Sequence, residues 1–287
     1  MPSDADRELL TRAFYDDVIW PMGTPRLEDA WLAIYQLLSW YAHGYIHIRE
    51  ANDLKKASWQ ERARKAEAYV AKALAVKPQE VAAHVDRMMQ LPRWKEVLAQ
   101  KGTTVTCPHC GQDFVLPSEQ QRNNSLGNGL RILVAEVLRR WGDPRFAYEE
   151  EALARTWFPG IEMPGRSERA KMDVLAHAAK RPAAIVSCKW SARHDRMSDV
   201  TNECPQYKRA AISQDIMDLR YFVVTAELDG QRSNKNLEQR CMDGLVMVHL
   251  PLAETIGMMT PAMQRSREEG RLLDLAHFVE GTHKWKG

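Results

Sequence analysis

The stretch "SCKWSARHDR", residues 187–196, sets Ser187 and Lys189 at the end of an apolar run and follows them with Arg193, Asp195 and Arg196. Residues two apart on a strand share a face, so Ser187 and Lys189 project together while Cys188 points the other way. Asp173 lies in the preceding run, "AKMDVLAH", where antiparallel pairing would bring its carboxylate alongside the lysine. A carboxylate beside an ammonium suits phosphodiester hydrolysis. The acid holds a divalent ion that polarises the phosphate and lowers the pKa of a bound water, and the ammonium orients that water. The same pair also reads as a salt bridge beside a buried strand, and Asp173 with Lys189 alone would favour that plainer reading.

The cluster "RHDR" has a chemistry of its own. Arginine forks to O6 and N7 of guanine, and aspartate accepts from the N4 amino group of cytosine, so Arg193, Asp195 and Arg196 suit a run of G·C pairs in a major groove. His194 fits as a spacer or a phosphate contact, and an exposed ion-pair cluster is the alternative for the whole group. Between Glu162 and Ala210 ten Lys/Arg stand against six Asp/Glu, a local excess of four positive charges. That balance suits an anionic substrate or a solvated face.

These residues need elements to hold them. "AKMDVLAHAAKRPAAIVSCKW" predicts two strands joined by a turn around Lys180, Arg181 and Pro182. "LRILVAEVLRRW" before it is an amphipathic helix, preceded by a loop over "PSEQQRNNSLGNG". "DVTNECPQYKRAAISQ" after it is a helix, with Pro205 tolerable only near the first turn. "LRYFVVTAE" and "GLVMVHLP" predict buried strands, and "SREEGRLLDLAHFVEG" a closing helix. The order gives an α/β fold, a mixed sheet flanked by helices, over residues 116–287. Residues 1–115 predict a separate all-helical domain, carried by "LEDAWLAIYQLLSWYAHGYIHIREA" and two further helical runs and ending in a "CPHC" turn.

Asp173, then Ser187 and Lys189 two residues on, resembles the motif of the PD-(D/E)XK nucleases. Met172 stands where the motif has proline, and Ser187 where it has its second acid. One branch, the restriction endonucleases that recognise CCGG, makes the same serine substitution. Its motif continues with R-x-D-R beginning four residues after the lysine and a glutamate fourteen after it. Arg193, Asp195, Arg196 and Glu203 meet every offset. With each charged type at about 6% of residues, four such matches arise by chance about once in 10⁵.

The likeness runs from about residue 125 to 260 and is greatest to members whose sites extend CCGG by one base pair on each side. It implies a PD-(D/E)XK fold and a type II enzyme cutting double-stranded DNA at a palindrome centred on CCGG. By that resemblance Asp173 and Glu203 would bind Mg2+, Glu203 replacing the acid missing at position 187, and Lys189 would position the attacking water. A further catalytic glutamate is expected on the helix before the hairpin. Glu136 is the candidate, with Glu149, Glu150 and Glu151 as competitors. Arg193, Asp195 and Arg196 would read bases. A palindromic site implies a two-fold homodimer, or a higher oligomer on DNA, with each subunit cutting one strand.

The rest of the chain sets bounds. At 287 residues it holds one or two domains. No window reaches the roughly 20 apolar residues needed to cross a bilayer, and the first residues lack the layout of a signal peptide. Five cysteines, at spacings that suggest no secreted disulfide frame, point to the cytoplasm of a bacterium or archaeon. Net charge of +2 does not by itself indicate nucleic acid. Cys107 and Cys110 form half of a zinc knuckle, but a structural zinc needs four ligands and no second C-x-x-C exists, so a metal-free turn is the preferred reading. His43 and His47, four apart on an expected helix, offer a second pair, though such spacing recurs by chance. Two other functions stay in view. A repair or junction-resolving nuclease would read shape through phosphate contacts, which leaves the acid in "RHDR" unexplained. A non-enzymatic DNA-binding regulator would rest on the helical part and the zinc knuckle.

Overall fold

The computed structural model describes residues 103–106, 113–116, 119–161, 169–189, 194–226, 230–248, 250–255 and 257–286. The helical reading of the first hundred residues, with His43 and His47, lies outside these, as do Cys107 and Cys110. The runs flanking the "CPHC" turn do pair, as an antiparallel hairpin of β1 (Thr103–Thr106) and β2 (Asp113–Leu116) with Thr106 opposite Asp113. Residues 130–253 and 258–287 form one compact unit, which carries a six-stranded sheet.

That sheet is built in chain order: β3 (Ala147–Leu153), β4 (Lys171–Ala178), β5 (Arg181–Lys189), β6 (Arg220–Thr225), β7 (Gly244–Met247) and β8 (Leu272–Leu273). The first three strands pair antiparallel, and β5 to β8 pair parallel. The mixed α/β sheet expected from the sequence is present. Parallel neighbours cannot be joined by a tight turn, so a helix links β5 to β6: α3 (His194–Ile212). The other helices are α1 (Glu119–Trp141), α2 (Ala154–Trp157), α4 (Gly230–Leu237), α5 (Leu250–Thr255), α6 (Pro261–Glu268) and α7 (Leu275–Gly281).

Strand alternation sorts the core into two layers. Ile185, Tyr221, Val223, Leu245 and Met247 meet Val200, Cys204, Tyr207 and Ala211 of α3. On the opposite face Phe222 packs against Phe278 of α7 and Trp285, with ring centroids 5.1 and 5.5 Å away. Among the described residues no helix is long and apolar enough to cross a membrane.

Several local expectations change. The β4–β5 turn is Ala179–Lys180, one residue earlier than expected, with φ of 48° and 64°. Two consecutive positive φ values make the mirror-image turn that matches strand twist, here without the usual glycine or asparagine. Pro182 follows on β5 opposite His177, beside a register shift, which is where a residue with no N–H can sit in a sheet. β3 was not anticipated. α1 starts at Glu119, so the expected loop is its first turns, tertiary context overriding the weak propensity of Asn, Ser and Gly. α3 begins at His194, which leaves Pro205 in its interior and not near its first turn. The expected closing helix is three elements, because Gly270, at φ 71°, ends α6 and turns the chain into β8 before α7. The cysteine spacing hid a bond: Cys204 of α3 is disulfide-linked to Cys241, 37 residues on, a pairing that only the fold creates.

The end of α1 is tied to the C-terminal segment at Asp143. Its backbone N–H donates to Thr282 Oγ1 at 2.8 Å, and its carboxylate accepts from Arg145 at 2.7–2.9 Å. These Arg145 hydrogen bonds hold the carboxyl down to about 2, although burial opposes them. An unfolded aspartate titrates near 3.9, so the contribution is full above about pH 4 and is lost as pH falls through about 2. Urea midpoints should therefore favour the wild type over Asp143→Asn at about pH 5 and converge by about pH 2. A gap that persists undiminished at the lower pH would count against this account.

Candidate active site

The β4–β5 register sets the first contact. Val174 lies opposite Val186, so the next step toward the end of β5 puts Asp173 across from Ser187. There the carboxylate takes over as an acceptor. Asp173 Oδ2 accepts from the Cys188 backbone N–H at 2.7 Å and from Ser187 Oγ at 3.4 Å. Lys189, two residues past Ser187 on the same face, pairs in register with Thr225 of β6. Asp173 and Lys189 form no ion pair, so the plain salt bridge is not what the hairpin builds.

Cys188 faces the other way and is buried. Burial and then the Asp173 charge push its thiol well above the ordinary cysteine range, against the cations Arg131 and Lys189. The nearby upstream glutamate felt at this thiol is Glu150.

Glu203 comes from α3. It lies between Val200 and Cys204, whose side chains pack into the sheet-facing core, and its Oε1 is buried. Its charge, like that of Asp173, is felt at Tyr221. Tyr221 of β6 stands in register with Ile185, two residues before Ser187, so its ring shares the Ser187 face. The phenol is 1% exposed. Burial first, then the charges of Glu203 and Asp173, push it well above the ordinary tyrosine range. Asp173 and Ser187 thus meet at the end of β5, with Lys189 next along the strand, and the Glu203 charge is felt at the buried Tyr221 phenol. Sequence reasoning missed Tyr221, because a tyrosine inside "RYFVVT" reads as core.

The other predicted residues are placed less centrally. Glu136 on α1 pairs with Arg139 at 2.8 Å, and the same guanidinium holds Glu150 at 2.8 Å and the Tyr148 carbonyl at 3.0 Å. Glu151, at φ 51°, pairs with the buried Arg131 at 3.0 Å and with Lys171 at 2.7 Å. Burial raises the Glu151 carboxyl, but the Lys171 hydrogen bond and the two cations outweigh it and leave it lowered. Glu149 lies 3.8 Å from His177. Arg193 is outside the described residues. Asp195 and Arg196 fall in the first turn of α3, with only their backbone described.

Among the described residues no three His, Cys, Asp or Glu side chains converge as a ready-made metal cage. Two carboxylates bearing on one buried hydroxyl still fit magnesium, which is bound through one or two carboxylates and otherwise keeps waters and phosphate oxygens.

No protein-family profile and no curated protein sequence matches the chain. One solved structure is similar in shape, described as "Restriction endonuclease PspGI-substrate DNA complex". The match has a TM-score of 0.39 and 10% identity, over 84% of this chain and 91% of that one. At so low a score the likeness adds nothing to what the strands and side chains display.

The Cys188 thiol gives a direct check on the hairpin. Held protonated by burial and by Asp173, it should resist iodoacetamide at about pH 8 in the native protein and react once unfolded. Peptide mapping after timed labelling reads this out, and rapid native modification of Cys188 would mean the carboxylate is not beside it.

Proposed function

We propose that the chain is a magnesium-dependent type II restriction endonuclease that cuts double-stranded DNA at a palindrome centred on CCGG. What supports this reading most is Asp173 across from Ser187 at the end of β5, with Glu203 on the helix that follows. The sequence offsets of the CCGG branch support it independently, since nothing in helix or strand periodicity requires a glutamate fourteen residues after Lys189.

Asp173 and Glu203 would hold the ion. When bound, magnesium polarises the scissile phosphate and makes a coordinated water acidic enough to attack at neutral pH. Lys189, with no ion-pair partner among the described residues, is available to orient that water by donating a hydrogen bond. The Cys188 N–H and Ser187 fix the inner oxygen of Asp173, so its other oxygen can turn outward. Arg193, Asp195 and Arg196 would lie in the major groove, the arginines on guanine and the aspartate on cytosine. Placing two of them in the first turn of α3 would couple base reading to the helix that carries Glu203. A homodimer would present two such sites to the two strands of the palindrome. Glu136 and Glu150, joined through Arg139, are the candidates for the upstream acid.

Incubation with plasmid DNA and magnesium should give double-strand breaks, and sequenced ends should share CCGG. Ends with no common CCGG would remove the specificity. Absence of any cleavage would remove the enzyme.

Lys189→Ala should abolish cleavage while keeping cognate binding within about tenfold, because its ammonium acts on the water and not on bases. Arg193→Ala and Asp195→Ala should each lose about 1–3 kcal/mol of base discrimination. Gel-shift titrations on cognate and scrambled duplexes separate the two classes. An equal binding loss in all three variants would show that reading and chemistry have been assigned to the wrong residues.

A further inference from the structure

β3 carries a backbone conformation that its sequence does not invite. Glu151, inside the strand, has φ of 51°, the left-handed region that glycine adopts freely and glutamate does not. The strand turns over there. Glu150 reaches Arg139 of α1, yet Ala152, two residues on, packs in the α3 core with Val200 and Tyr207. Regular alternation would keep both on one face. β4 does the same beside it, since Met172 and Leu175, three apart, both belong to that core. Glu150 pairs with Val174 and Ala152 with Met172, so the residues at the turnover are Glu151 and, across from it, Asp173. A residue held in so sparsely populated a conformation points to a role for its side chain.

What the conformation achieves is the place of the Glu151 carboxylate. One oxygen meets Nη1 of Arg131 at 3.0 Å, and the other meets Nζ of Lys171 at 2.7 Å. The two links differ in strength. Arg131 is 4% exposed, so withdrawing Glu151 would strip a counter-charge from a buried guanidinium, the costly way to break an ion pair. Lys171 and Glu151 are 48% and 42% exposed, and a pair between half-exposed groups gains little over water. Glu151 is therefore anchored on Arg131 and holds Lys171 loosely.

We propose that Lys171 is a contact for the DNA backbone, its ammonium held on Glu151 in the free protein and passed to a phosphodiester oxygen when the duplex binds. This rests on the reading of the chain as a DNA nuclease. A carboxylate and a phosphate both offer an ammonium a charged oxygen, so the exchange replaces one charge-assisted hydrogen bond with another. Place argues for it too. Lys171 opens β4 two residues before Asp173, and β4 runs antiparallel to β5, so it stands at the sheet end where β5 closes with Ser187 and Lys189. A duplex that brings one phosphate to Asp173 carries the neighbouring phosphates past that end.

The test measures binding of the full chain to a fluorescent CCGG duplex and to a scrambled duplex of equal length, without metal, by anisotropy over a salt series. Lys171→Ala should weaken binding about fivefold near 0.1 M salt and lower the slope of log affinity against log salt by about 0.9. Both effects should be equal on the two duplexes, because a phosphate contact carries no sequence information. Lys171→Arg, which keeps a donor for phosphate, should keep the wild-type slope. Glu151→Gln, which frees the ammonium beforehand, should tighten binding about threefold. In the Lys171→Ala background the same change should give no gain, since the two residues act on one contact.

An unchanged salt slope in Lys171→Ala, or a Glu151→Gln gain of equal size in both backgrounds, would overturn the proposal while leaving the nuclease reading intact. A Lys171→Ala loss confined to the CCGG duplex would overturn it as well, since that marks base reading. A wild type that binds neither duplex and cuts no DNA removes that reading and this inference with it. Should Glu151→Gln lose its fold by circular dichroism, Lys171→Ala decides alone, and a wild-type salt slope there overturns the contact.

Discussion

The site depends on a strand ladder that stops early. β4 pairs with β5 as far as Val174 opposite Val186, whereas β5 stays paired with β6 to Lys189 opposite Thr225, and β4 stays paired with β3 to Lys171. At that end the Cys188 N–H goes to a side-chain carboxylate, Asp173 Oδ2, and not to a backbone carbonyl of β4. A hydrogen bond to a charged group contributes about 1.5–3 kcal/mol, enough to offset part of the cost of setting a carboxylate between two strands. It also fixes register. A slip of one residue in β5 would carry Ser187 and Lys189 to the other face of the sheet, away from Asp173. The strained Ala179–Lys180 turn and the shift at His177 are what make this register hold, since they set the two strands' count from the closed end of the hairpin.

α3 must bring its acid to the same point, and the helix is not intrinsically well suited to do so. Pro205 removes one backbone hydrogen bond from its interior, two residues from Glu203. What compensates is packing and covalency. Val200, Tyr207 and Ala211 are fully buried against the sheet, and Cys204, next to Glu203, is bonded to Cys241 just before β7. The position of Glu203 is therefore set by tertiary contacts on both sides of the proline, not by helix propensity.

The parts of this arrangement that follow strand alternation were legible in the sequence. Ser187 and Lys189 on one face, Cys188 on the other and Asp173 across from them all need only a period of two and a hairpin. The glutamate at position 203 was singled out by its offset alone, and it lies on α3, the helix that follows β5. The place of Tyr221 on the Ser187 face was not legible, since it comes from the parallel register of β5 and β6. β3 escaped because three consecutive glutamates, one at positive φ, break the alternation that marks a strand. Gly270 was read inside a helix when its φ of 71° ends one. The disulfide between Cys204 and Cys241 shows the same limit, a contact made by topology between residues whose spacing carries no signal.

The two faces of β5 treat charge differently, and this bears on the basic surroundings of the hairpin. On the Cys188 side the thiol stays neutral, and the buried Arg131 is met by Glu151. On the Ser187 side the charges of Asp173 and Glu203 bear on a buried phenol, and Lys189 follows along the strand, a net charge of one negative. A phosphodiester approaching that side alone would be repelled by the acids that the proposed chemistry requires. The excess of four positive charges between Glu162 and Ala210 supplies the opposing field at longer range. Because that field is screened over about 8–10 Å at moderate salt while the acids act at contact, the flanking cations can govern encounter with DNA without neutralising the pair that would hold the ion. On the proposed function, attraction and catalysis would thereby act at different distances, and Lys189, on the Ser187 face of β5, would be left to act on the water.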